Sequence, residues 1–138
     1  MATSTTKFED AFDYKVVRET VCNNTAIVNA TSAPGSIYSI SLTNATSGEV
    51  HFKFFDAEAV TMGTTVADMV LRIAGSTTTV YNIPDGLEFT YLSFACTVSQ
   101  NPSDNSAITA NSGATVDVKI ICTWGNYGRY VNIFNHWA

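Results

Sequence analysis

The side chains that could carry chemistry are few: two His, three Cys, twelve acidic and seven basic residues in 138 positions. His51 stands among Val50, Phe52 and Phe54, and strand alternation puts it beside Lys53 on the outer face of that segment. There it reads as a surface or interface His rather than a general base. His136 lies close to the C-terminal end, where a catalytic base would lack a rigid support. No G-x-S-x-G turn accompanies the many serines, so a Ser-His-Asp triad has no recognisable scaffold. Asp56 and Glu58, spaced i, i+2, could supply half of a calcium or glycosidase carboxylate pair; no D-x-D-x-D-G loop follows, and they read as solvated acids. Arg72, between Leu71 and Ile73, either snorkels outward or enters an ion pair, with Asp68 or with a partner's acid. Cys22, Cys96 and Cys122 are widely spaced, without a C-x-x-C pair or an adjacent His, and read as three buried thiols. The glycines form no phosphate cradle. These residues point to a protein without catalytic, metal or cofactor groups.

One cluster does suggest recognition. Trp124, Tyr127, Tyr130, Phe134 and Trp137 crowd the C-terminal end together with Arg129, and Trp, Tyr and Arg are the types that anchor protein interfaces. They serve either to pack the last strand or to dock onto another chain, and they are the candidate interface residues. Stacking on sugar rings is a further use of such aromatics, but nothing in Gly125-Asn126-Tyr127-Gly128 is specific for it.

The elements that must position these groups read as strands. Nineteen Thr, twelve Ser and eleven Asn outweigh nine Lys plus Glu. Thr fits a half-exposed pleat, Ser and Asn fit turns, and the usual helix-surface residues are scarce. Tyr38, Ile40 and Leu42 alternate with Ser39, Ser41 and Thr43; Val50, Phe52 and Phe54 with His51, Lys53 and Phe55; Val116, Val118, Ile120, Cys122 and Trp124 with Asp117, Lys119, Ile121 and Thr123. Val16, Val17 and Val21 mark a first strand, and Ala26 to Asn29 a short second run. Met69, Leu71 and Ile73 alternate up to Gly75, and Thr77 to Ile83 forms a strand that Pro84-Asp85-Gly86 should end in a turn. Leu87 to Val98 is apolar on both faces, as a strand covered on both sides would be. Ser99 to Gly113 is expected to be a long exposed loop.

About eight strands with regular turn signals describe an all-β antiparallel sandwich, jelly-roll-like, spanning residues 14–124. An N-terminal arm, residues 1–13, is ordered only if something receives it, and residues 125–138 form the aromatic segment. A net charge of −5 and a pI near 4.7 make nucleic acid a poor partner. The N-terminus lacks the apolar core of a secretory signal, and no apolar run is long enough to span a bilayer, so no membrane is expected.

From Glu49 to Trp124 the order of short motifs resembles a family of small virion proteins of tailed bacteriophages. The family's members decorate or cement the capsid or form head fibres. The order begins with Phe52-Lys53-Phe54-Phe55-Asp56-Ala57, passes through a Thr- and Gly-containing loop, Thr61 to Thr65, and reaches Val70-Leu71-Arg72-Ile73. Asp85-Gly86-Leu87-Glu88-Phe89 follows, then Leu92 to Thr97, the Asp104-Asn105 loop and the strand Val116 to Ile120. Val60 and Met69 stand where the family often has prolines. The resemblance implies a non-enzymatic structural virion protein. It would be a jelly-roll-like sandwich, a homotrimer bound to the major capsid protein on the capsid surface, and made in the host cytoplasm. The alternative is a receptor- or glycan-binding fibre or tail module, using the loop Asn101 to Asn111 or the aromatic end.

Overall fold

The computed structural model describes residues 3–7, 14–108 and 113–125, none of them helical. Eight strands follow one another: β1 (Thr3–Lys7), β2 (Lys15–Cys22), β3 (Gly35–Asn44), β4 (Val50–Phe55), β5 (Met69–Ile73), β6 (Thr77–Phe89), β7 (Ser93–Thr97) and β8 (Val116–Trp124). They form two antiparallel sheets, ordered β1-β2-β8-β3-β6 and β5-β4-β7. The pairings are nested. β2 lies against β8, β3 against β6 and β4 against β5, while Ile27, in the connection after β2, bridges to Phe94 of β7. The chain is therefore one long hairpin, with β4 and β5 at its tip, wrapped so that successive pairs fall into opposite sheets. That is the jelly-roll wrap of an all-β sandwich.

Alternation explains the core between the sheets. Ile40 and Leu42 of β3 and Val116, Val118, Ile120 and Cys122 of β8 face Val50, Phe52 and Phe54 of β4 and Phe94 and Cys96 of β7, all buried. The Phe52 and Phe94 rings sit 5.7 Å apart, a favourable tilted packing. Two bulges adjust the pattern. In β3 the register shifts between Ile37 and Ser39, so Ile37 turns into the core and Tyr38 does not; Tyr38 instead packs edge-on against Tyr14 at 5.2 Å. In β2 the register shifts between Glu19 and Cys22, which leaves Val21 exposed and turns Cys22 inward.

Two local expectations are corrected. Pro84-Asp85-Gly86 does not end a strand: it lies inside β6, as extra length opposite the β3 bulge, with Gly86 at φ 80° beneath the Tyr38 ring. Among the described residues β6 is an edge strand, where a missing Pro N–H costs no ladder bond. Leu87 to Val98 is not one strand: β6 closes the larger sheet at Phe89, the chain crosses over, and β7 belongs to the smaller sheet. The described part of the arm, residues 3–7, pairs with its own chain, β1 running against β2 from Thr3↔Glu19 to Lys7↔Lys15. Glu19 is fully buried, and its carboxylate accepts the Thr3 hydroxyl. A buried carboxylate needs such a donor, which gives β1 a reason to dock.

Candidate functional site

The outer face of β4 is not the solvated face that alternation suggests. His51, Lys53 and Phe55 are all buried, Lys53 completely. The segment after β7, expected to be an exposed loop, meets His51 at Val98 and Lys53 at Asp104. It folds back on itself through Asx and Ser contacts: Ser103 N donates to Asn101 Oδ1, Ser106 N to Asp104 Oδ2, and Ser99 N to Ser106 Oγ. It is tied to the domain by Asn24 Nδ2, which donates to Asn105 O, and by Ala67 N, which donates to Pro102 O. Lys53 Nζ donates to Asp104 O at 3.1 Å. Burial lowers the Lys53 pKa, and the Asp104 charge partly opposes this; the Ser106 side chain and backbone hold the Asp104 carboxyl below its usual range.

His51 is thus corrected from surface residue to buried residue. Its Nδ1 is 2.9 Å from Val98 O, and its Nε2 is 3.1 Å from Glu49 Oε1, off the axis of a hydrogen bond. The other oxygen of Glu49 accepts from Arg72 Nε. Arg72 is therefore exposed and ion-paired, with Glu49 rather than Asp68. Asp68 accepts from Asp56 N at 2.7 Å. Asp56 in turn accepts from Thr90 N and Tyr91 N, both at 2.9 Å, and so pins the corner where the chain passes from β6 towards β7. These carboxylates are structural clamps with fixed partners.

At the same end of the sandwich lies a cleft of about 560 Å³, walled by Gly35, Ser36, Asp56, Glu88, Phe89 and Gly125 among others. Asp56, though engaged with Thr90 and Tyr91, and Glu88 both line it, and acidic residues in a cleft suit hydroxyl or cationic groups of a ligand or a partner surface. Beside it Trp124, half-buried at the end of β8, holds Lys15: the ammonium sits 4.4 Å from the ring centroid and donates to Trp124 O at 2.5 Å. Of the candidate interface residues, Trp124 alone is described, and it has this role within its own chain. Tyr127, Arg129, Tyr130, Phe134 and Trp137, like His136, lie outside the described residues. The three cysteines are free and buried, and no group of metal-ligating side chains assembles among the described residues. Sequence reasoning missed the covering loop. Its dense Asn, Asp and Ser content was the available signal, because such residues bond their own backbone and make a long loop compact.

No family model, no curated protein and no solved structure matches this chain.

Proposed function

We propose that the protein is a non-enzymatic structural component of a tailed-bacteriophage virion, a decoration or cement protein that binds the major capsid protein on the capsid surface as a homotrimer. The observation that carries this is the coincidence of motif order with architecture. The motifs from Phe52 to Ile120 that resemble the cement proteins fall on β4, β5, β6, β7 and β8 of a jelly-roll wrap. Fold alone does not give function, so the proposal leans on that order.

The surface suits repeated mating. Among the described residues β6 has one hydrogen-bonded neighbour, β3, and its stretch Thr77 to Ile83 carries neither charge nor proline. Open, unguarded edges of this kind are covered by partners in stable assemblies. Weak single contacts suffice for a trimer on a shell, because linked contacts raise avidity by roughly a hundredfold or more.

The test is the composition of purified particles from a phage that carries this sequence. Copies in fixed ratio to the major capsid protein, released as trimers, support the proposal; absence from particles overturns it. A few copies confined to tails favour the second reading, a receptor- or glycan-binding module. The end cleft with Asp56 and Glu88 is the feature that favours that reading.

A further inference from the structure

Cys22 and Cys96 come from different sheets and meet in the core. The bulge between Glu19 and Cys22 turns the last side chain of β2 inward just where the chain leaves the larger sheet. The next residue then joins the smaller sheet, with Cys96 N donating to Asn23 O at 2.9 Å and Ile27 bridging Phe94 in both directions, at 2.8 and 2.9 Å. These bonds hold the backbone of residue 23 against that of residue 96. Cys96 is among the groups that act directly on the Cys22 thiol, and both side chains are buried in the one core. Cys122 is elsewhere: it faces Lys15 in the ladder where Cys22 faces Val116, about 20 Å away along the strand.

We propose that Cys22 and Cys96 are a redox pair that closes into an inter-sheet disulfide, with Cys122 left as a thiol. The oxidant is a small-molecule disulfide of the glutathione type. One protein thiolate attacks it and releases one small thiol, giving a mixed disulfide; the second protein thiolate attacks that bond and releases the other small thiol. In sum two cysteine thiols and one small disulfide become one protein disulfide and two small thiols. Burial, then the Cys96 contact and then Glu19 hold the Cys22 thiol protonated, so exchange proceeds in folding or opened chains and the closed domain resists it. The bridge would tie β2 to β7 and close a loop of more than half the chain, a length at which cross-linking restricts the unfolded state strongly. The pair is independent of what the protein binds.

The experiment refolds the full chain from urea in a glutathione redox buffer, then denatures and alkylates it without reduction. One alkyl adduct, a mass about 2 Da below that of the thiol form before alkylation, a Cys22–Cys96 cross-linked peptide and a Tm raised by roughly 10 °C, reversed by dithiothreitol, are expected. Cys122→Ser should retain the bridge; Cys22→Ala and Cys96→Ala should each lose it and accept two adducts. Three adducts from the refolded protein, or a bridge that includes Cys122, would overturn the proposal.

Discussion

Raising the pH should destabilise the protein through Cys122 in a way that one substitution can isolate. Burial in β8 pushes this thiol from an ordinary 9.0 up to about 12, with Lys15 opposing the rise. Above pH 9 the unfolded chain therefore loses a proton that the folded chain keeps. The stabilisation is fully present below that point and disappears as pH climbs towards 12. A gap from 9.0 to about 12 amounts to roughly 4 kcal/mol in total, of which about 1.4 kcal/mol is lost by about pH 10. Urea unfolding of the wild type and of Cys122→Ala, both kept reduced, at about pH 7 and about pH 10 measures this. The variant starts lower at neutral pH because it leaves a small cavity, but its further loss should be smaller than the wild type's by about 1.4 kcal/mol. Taking the difference between the two proteins cancels Cys22, which acts in the same direction, and Lys53, which acts in the opposite one. Parallel losses, agreeing within about 0.5 kcal/mol, would refute the assignment of a buried, proton-holding thiol at this position.

Other consequences are simpler to read. Lys53→Met should remove a pH dependence of the opposite sign. The buried ammonium has a lowered pKa, so wild-type stability gains relative to the variant as pH rises towards the unfolded value of 10.5, which urea titration will report. Gly35→Ala should cost about 3 kcal/mol or more, since an added Cβ would lie 1.6 Å from Thr123 O in the neighbouring strand, and thermal melts should show it. Asp56→Ala removes the acceptor of the exposed Thr90 and Tyr91 N–H groups, which then turn to water, and should cost about 0.5–1.5 kcal/mol, with Asp56→Asn, which keeps an acceptor, costing less. If the proposed virion role holds, removing residues 125–138 should abolish particle attachment or trimerisation while the core still melts cooperatively; unchanged occupancy on particles would count against an interface in that segment.

The strand character of this protein is written locally. β8 could be delimited from Val116 to Trp124 because every second residue is apolar, and β4 because Val50, Phe52 and Phe54 share a face; a period of two needs no knowledge of the partner strand. All-β class follows from that periodicity and from the abundance of Thr, Ser and Asn. What tertiary structure decided are the features that depend on residues far apart in the chain. The bulge at Tyr38 and the extra length at Pro84-Asp85-Gly86 compensate each other across β3 and β6, so neither can be recognised from its own neighbours. His51 and Lys53 alternate as solvent-facing residues should, yet they are buried, because a loop some fifty residues later lies over them. Cys22 and Cys96 meet only because β2 and β7 end up in opposite sheets around one core. Periodicity fixes which side of a strand is apolar; it cannot say what will cover the other side, since that is set by long-range packing.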